Sequence, residues 1–198
     1  MKKILFSCIG LLLFSACRLS AFQPTLLRTP TSTPLVISTF NSSCVSTEPT
    51  QKDIERALSF TEELFDTSNW ERSYSVMQGR VAVTWLHVDG FLAYLEAIIF
   101  PCGYQEADID DYFNDTNWEI ILSNYDSYEM KNECRNDSAL RLYEFSVMAT
   151  DVEYEMRYWV MKDINTRVIT LMLVFPLGFE SMMNHYADNI FPSLETCE

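Results

Sequence analysis

This chain of 198 residues has little glycine, little histidine and few basic residues. It contains 5 glycines and 2 histidines, and its 14 Lys and Arg residues face 28 Asp and Glu residues. So few glycines argue against a loop-dominated scaffold, and a hydrophobic content of 48% predicts a folded domain. The formal net charge of −14 repels nucleic-acid phosphates and anionic lipid headgroups. The composition therefore predicts a globular domain that does not bind nucleic acid.

The sequence also lacks the common catalytic motifs. It contains no Gly-x-Ser-x-Gly, no His-Glu-x-x-His and no Ser-x-x-Lys pattern. Of its two histidines, His87 precedes a predicted turn at Asp89 and His185 lies on the last predicted helix. We interpret both as structural residues, and we predict no catalytic residue and no cofactor. An enzyme remains open as an alternative, since a hydrolytic or carbohydrate-active site needs only two carboxylates brought together in space.

Metal-binding patterns are equally sparse. The densest acidic run lacks the Asp-x-Asp-x-Asp-Gly arrangement that calcium loops use, so a solvated helix face explains it better. The cysteines are tens of residues apart, whereas zinc sites use close pairs. We predict no metal site and keep a calcium-binding surface domain as a further alternative. The acidic run comprises Glu106, Asp108, Asp110, Asp111 and Asp115.

The N-terminus carries the strongest pattern in the chain. Lys2 and Lys3 precede an apolar stretch over residues 4–14, and the small residues Ser15 and Ala16 follow it. An apolar stretch of this length is too short to span a bilayer as a helix. A basic head, a short apolar centre and small residues before a cleavage site are typical of a secretory signal peptide.

The segment Phe14-Ser15-Ala16-Cys17 resembles the lipobox of bacterial lipoproteins, although that family prefers Leu at the position of Phe14. In that family, a diacylglycerol is attached to the cysteine thiol and the preceding peptide is removed. The resemblance therefore implies that residues 1–16 are a signal peptide and that Cys17 is lipidated, with fatty acids such as palmitate. It also implies a location in the cell envelope, on the outer face of a membrane.

Four cysteines remain beyond the signal peptide and Cys17. An even number of cysteines in an exported domain predicts two disulfides, with three possible connectivities. We favour Cys44–Cys197, which would join the ends of the folded region, and Cys102–Cys134, which would span its middle.

Composition divides the exported part in two. Residues 17–43 are rich in Thr, Ser and Pro, which cannot bury enough apolar surface to fold, and they are predicted to be a tether. Residues 44–198 are predicted to form a single domain.

Within this domain, the periodicity predicts antiparallel strands interrupted and flanked by helices. Thr50 and Asp53 predict a capping box, Asp89-Gly90 predicts a hairpin turn, and strict alternation over 152–160 predicts a strand. The fold class is α+β, with an antiparallel sheet, a C-terminal strand meander and helices packed on it. The element order over residues 139–195 resembles the C-terminal half of the PsbP-like fold, which serves many bacterial lipoproteins as a binding or assembly module.

One strand offers a candidate binding surface. Trp159 alternates with an apolar row and shares a strand face with Glu155 and Arg157. If that face is open, it presents an aromatic, charge-flanked surface; if a helix covers it, Trp159 belongs to the core. We accordingly predict an exported, lipid-anchored binding or assembly module without catalysis, with an unknown protein or small molecule as its partner.

Overall fold

One seven-stranded antiparallel sheet organises the protein. The structure is a computed structural model that describes residues 44–65 and 67–197. The predictions for the signal peptide at 1–16, lipidation at Cys17 and the tether at 17–43 concern residues outside this part of the chain. The strand order is β1-β2-β3-β7-β6-β5-β4. The elements along the chain are α1 (Gln51–Ser59), α2 (Glu62–Phe65), β1 (Trp70–Met77), β2 (Arg80–His87), β3 (Leu92–Ile99), α3 (Glu106–Tyr112), α4 (Asp115–Ile121), β4 (Ser127–Arg135), β5 (Arg141–Ala149), β6 (Val152–Ile164), β7 (Arg167–Pro176) and α5 (Glu180–Ile190).

Two sets of sequential strands make up the sheet. β1, β2 and β3 pair as successive hairpins, and β4 to β7 form a meander. The sets join where β3 pairs with β7, with Leu95 opposite Leu171. The predicted α+β class, with a C-terminal strand meander and helices packed on the sheet, is confirmed.

Helices pack on both faces of the sheet because the central strands are apolar at successive positions. We call the face that α1, α2 and α5 cover the α5 face; its core includes Trp85, Trp159, Leu171, Met183 and Ala187. The opposite α4 face, which α3 and α4 cover, includes Tyr94, Ile109, Trp118, Tyr158 and Met172. Side chains alternate between faces along a strand, so central strands that are apolar at nearly every position fill both cores.

A capping box begins α1, as the sequence predicts. The Asp53 backbone N–H donates to Thr50 Oγ1, and the Thr50 N–H donates to Asp53 Oδ2 at 2.7 Å. In α4, the Asn114 side chain is the N-cap and accepts from the Asn117 backbone N–H. The first helical segment of the domain ends at Ser59, and a second short helix, α2, begins at Glu62.

Asp53 also gives the fold a predicted pH dependence. Burial raises its pKa, but hydrogen bonds from Arg167 and from the Thr50 backbone and side chain outweigh burial and lower the pKa from 3.8 to about 2. A depressed carboxyl pKa contributes stability above its unfolded value, and this stability is lost as the pH falls from about 4 toward 2. We expect Asp53→Asn to remove about 2 kcal/mol at pH 6 and to flatten this acid dependence, measured by urea unfolding.

The matched control for this prediction is Asp137→Asn, at an exposed carboxylate. We expect Asp137→Asn to keep the unfolding free energy within about 0.5 kcal/mol of the parent at pH 6. An Asp53→Asn protein with the parent's acid dependence would contradict the assignment.

Two disulfides are present, and the predicted pairing is wrong. Cys44 pairs with Cys102, and Cys134 pairs with Cys197. The segment after Cys44 runs along the end of the β2–β3 hairpin, where the Val45 N–H donates to the Pro101 carbonyl at 2.7 Å. The C-terminal residues return instead to β4 and β5, which brings Cys197 to Cys134.

A buried polar network crosses the α4 face. Arg80 donates to Glu96 at 2.9 Å, and the Tyr94 hydroxyl donates to the same carboxylate oxygen at 2.8 Å. The Tyr112 hydroxyl lies 3.4 Å from the Arg80 guanidinium. Both charged side chains are only 6% exposed, so each compensates the other's loss of water.

Candidate functional site

The structure buries Trp159 instead of exposing it. Its side chain is 0% exposed, and its ring stacks on Phe191 with centroids 5.2 Å apart. The indole Nε1 donates to the Leu194 carbonyl at 2.8 Å. The open-face interpretation of Trp159 is therefore wrong, because the end of α5 and the residues after it cover this part of the α5 face.

Glu155 and Arg157 lie at the boundary of that cover and line an open cleft. The C-terminal residues contact this boundary: Arg157 donates to the Glu195 carbonyl at 3.0 Å, and the Cys197 N–H donates to Glu144 at 3.4 Å. Beyond this boundary, strands β4, β5 and β6 form a cleft with a volume of about 360 Å³. Its polar lining includes Lys131, Glu144, Ser146, Glu153, Glu155 and Arg157.

Most polar groups in the cleft form hydrogen bonds or ion pairs with one another. Glu144 Oε2 accepts from the Asn132 amide at 2.8 Å, and Glu144 Oε1 lies 3.5 Å from the Arg157 Nε. The Ser146 hydroxyl donates to Glu153 at 2.8 Å. Arg157 is 8% exposed and lies at the base of the cleft. Its contacts with Glu144 and the Glu195 carbonyl hold the guanidinium group in place. The cleft therefore presents oriented polar groups.

Glu155 differs from its neighbours in the cleft. Within the described residues, its carboxylate has no hydrogen bond or ion pair to another side chain, and it is partly buried. Burial raises its pKa, and the negative charges of Glu180, Glu144 and Glu153 raise it further, against the opposing effect of Arg157. A carboxylate held among like charges is stabilised by an added cation. Glu155 is thus the cleft group best placed to meet a positively charged ligand.

An exposed apolar patch adjoins the cleft. We call it the end patch; it comprises Leu177, Phe179 and Met182, which lie in the turn after β7 and the first turn of α5. Each exposes more than a third of its side-chain surface. The Leu177 N–H donates to the Glu153 carbonyl at 3.0 Å, which joins the patch directly to the cleft wall. Phe179 packs against Phe91 with ring centroids 5.0 Å apart, so the patch rests on the core.

The two histidines lie apart and contribute nothing to the cleft. His87 ends β2, stacks on Phe91 at 4.8 Å and accepts a hydrogen bond from the Asp89 N–H at 3.1 Å. His185 lies on the exposed side of α5, and the Asn189 amide donates to its backbone carbonyl. Each contacts an aromatic ring, Phe91 for His87 and Tyr186 for His185.

The acidic run of residues 106–115 is engaged in structural contacts. Glu106 pairs with Arg141 and Lys162, and Asp110 also pairs with Arg141. Asp108 accepts from the Gln105 N–H at the start of α3. Over residues 44–65 and 67–197, no three His, Cys, Asp or Glu side chains converge as a metal site would require. The Glu106 and Asp110 carboxylates therefore hold α3 against β5 and β6.

Sequence reasoning found two cleft residues, Glu155 and Arg157, but missed Glu144, Ser146 and Glu153. A signal for two of the missed residues existed in β5, where Glu144 and Ser146 are polar at alternate positions between apolar residues. Alternate positions share one face, so the pair indicated a polar patch on one face of the sheet. No sequence pattern predicted where the residues after α5, which border the cleft, would lie.

Comparisons with protein-family models and with curated sequences found no match. None of the helices in the described part of the chain has the length and apolar character needed to cross a membrane. The candidate site therefore rests on the geometry of the cleft and the end patch.

Proposed function

We propose that this protein is an exported, lipid-anchored binding or assembly module that engages its partner through the cleft between β4, β5 and β6. In this proposal, residues 1–16 direct export, Cys17 carries the lipid in the cell envelope, and residues 17–43 are the tether to the domain. The observation that carries the binding role is the cleft itself, where one corner of the α5 face stays open and lined with oriented charged groups. Neither catalysis nor a cofactor forms part of the proposal.

Two disulfides support the proposed export. Bonds between Cys44 and Cys102 and between Cys134 and Cys197 are typical of domains that fold in an oxidising compartment. They agree with the secretory pattern of the N-terminus, which is an independent feature of the sequence.

The position of the proposed tether also supports a binding role. Cys44 is bonded to Cys102, just beyond the end of β3, and there Ile99 pairs with Arg167 at the start of β7. The cleft lies toward the other end of β7, where Phe175 pairs with Glu155. Eight residues of strand separate Arg167 from Phe175, a distance of about 27 Å. A tether that enters at Cys44 would leave the cleft accessible at the far end of the sheet.

Membrane fractionation tests the anchoring. We expect Cys17→Ser to move the protein from the membrane fraction to the soluble exported fraction, because a serine hydroxyl cannot replace the thiol that carries the diacylglycerol. Cys8→Ser is the matched control and should leave membrane association unchanged. Membrane retention of the Cys17→Ser protein equal to that of the parent would reject the lipid anchor.

Hydrolysis is the second candidate function, and Glu155 is the observation that favours it. A partly buried carboxyl group with a raised pKa beside further carboxylates resembles the general acid of a glycosidase. Binding is the better-supported function because Glu144 and Glu153 are already held by hydrogen bonds and the cleft is open to water. Failure of the purified domain to cleave nitrophenyl glycosides would remove this candidate.

A further inference from the structure

We infer that the cleft and the end patch together form one docking surface for an extended protein segment that carries Lys or Arg side chains next to apolar ones. The inference rests on the proposed binding function and specifies the chemistry of the partner. Three features carry it: the charge of the cleft, the apolar character of the patch and the distance between them.

The excess of carboxylates in the cleft favours the binding of a cationic side chain. It holds three carboxylates, those of Glu144, Glu153 and Glu155, against the two cations Lys131 and Arg157. Arg157 is already directed at Glu144 and at the Glu195 carbonyl, so the excess negative charge falls on Glu153 and Glu155. An ammonium or guanidinium group between these two carboxylates would relieve their mutual repulsion. The net charge of −14 also attracts basic partners and repels acidic ones before contact.

The end patch selects apolar side chains. Leu177 and Phe179 lie in the turn after β7 and Met182 lies in the first turn of α5, and Phe179 packs on Phe91 of the core, so a partner can cover the patch without rearrangement of the backbone. Aromatic and Met side chains are common at the centres of protein interfaces, where they supply most of the buried apolar area. A free amine or other small cation would leave this patch uncovered, whereas a protein segment would cover it.

The spacing between the two parts fits an extended chain. Glu155 pairs with Phe175, and Leu177 lies two residues farther along the chain, about 7 Å in the strand direction. In an extended segment, residues two positions apart point the same way and lie about the same distance from each other. Leu177 lies beside Glu153, so a basic residue at Glu155 places an apolar residue two positions away, on the Glu153 side, against the end patch.

Three matched peptides, each acetylated and amidated, test the inference by NMR titration of the purified domain. The probe is Lys-Ser-Lys-Ser-Leu-Ser-Leu; one control replaces both Lys with Glu, and the other replaces both Leu with Ser. We expect the probe alone to shift the amide resonances of Glu153, Glu155, Leu177 and Phe179 together. We also expect its affinity to fall as salt is added, because the charge contacts are open to solvent.

Variants of the domain assign the contacts. We expect Glu153→Gln/Glu155→Gln to weaken probe binding about tenfold, and Leu177→Ser to weaken it several-fold. Asp111→Asn/Glu119→Gln is the matched control, since it also removes two negative charges, from exposed positions on α3 and α4 on the other side of the sheet. It should leave the affinity unchanged. Amide spectra of all variants check that the fold is retained.

Other outcomes would overturn the inference. Equal binding of the Glu-containing peptide would reject the cationic partner, and equal binding of the Ser-containing peptide would reject the contribution of the end patch. Resonance shifts outside the cleft and patch, or full affinity in the Glu153→Gln/Glu155→Gln protein, would reject the site. Membrane anchoring through Cys17 is measured separately by fractionation, so failure of the peptide experiment does not coincide with failure of the proposed anchoring.

Discussion

Replacing Arg80 with methionine is expected to lower the free energy of unfolding by about 3 to 5 kcal/mol. The Arg80 guanidinium lies 2.9 Å from the Glu96 carboxylate, and both side chains are 6% exposed. Methionine fills similar space but leaves the Glu96 charge buried without its cation, and an uncompensated buried charge costs several kcal/mol. Urea unfolding of the disulfide-intact protein at neutral pH measures this difference.

Two further proteins separate this electrostatic cost from a loss of packing. Arg135→Met changes an exposed arginine on β4 and should cost less than about 0.5 kcal/mol. In the Arg80→Met background, Glu96→Gln should restore part of the lost stability, because a neutral amide is cheaper to bury than a carboxylate and still accepts from the Tyr94 hydroxyl. A double variant that is no more stable than Arg80→Met would contradict the buried-charge explanation.

Removal of the Cys134–Cys197 disulfide is expected to cost about 4 kcal/mol and to open the cover over Trp159. The bond closes a loop with a sequence separation of 63, and the chain-entropy model assigns a cost of that size to its loss. It also holds the tail that carries Leu194, whose carbonyl accepts the Trp159 indole N–H. We expect Cys134→Ser/Cys197→Ser to lower stability in urea and to speed hydrogen exchange at that indole N–H.

The other disulfide provides a control of nearly equal loop length. Cys44–Cys102 has a sequence separation of 58, so Cys44→Ser/Cys102→Ser should lose a similar amount of global stability. That bond lies just beyond the end of β3 and does not hold the C-terminal tail. Its removal should therefore not cause the additional local exchange at the Trp159 indole. Equal indole exchange in the two serine proteins, after correction for global stability, would show that the tail does not depend on the Cys134–Cys197 bond.

Local patterns predicted the elements whose causes lie within a few residues. The capping box of α1 depends on Thr50 and Asp53 alone, and the Asp89-Gly90 turn depends on a glycine, which has a φ of 87° at position 90. The turn between β5 and β6 has no such signal. Thr150 and Asp151 both adopt positive φ there, and the Asp126 carboxylate accepts the Thr150 N–H from 24 residues away. That contact exists only in the folded sheet.

The candidate site could be predicted only in part for the same reason. The alternation of β6 placed Trp159, Arg157 and Glu155 on one face, and the structure agrees. Alternation predicts the face of the sheet on which a side chain lies. It does not predict which other segment of the chain covers that face. Among the described residues, the C-terminal segment covers Trp159 and contacts Arg157 but leaves Glu155 partly exposed, so one end of the same row is core and the other end lines a cleft.

Composition and short-range patterns were enough to predict the α+β class, the helix start at Thr50, the Asp89-Gly90 turn and the presence of two disulfides, because these depend on periodicity, on neighbouring residues and on an even number of cysteines beyond Cys17. The tertiary structure decided which cysteines pair, which strand residues are covered and that Glu144, Glu153 and Glu155 share one cleft with Arg157. Those outcomes depend on where distant segments lie across the sheet. Such placement comes from the packing of whole helices and tails, which no local pattern encodes.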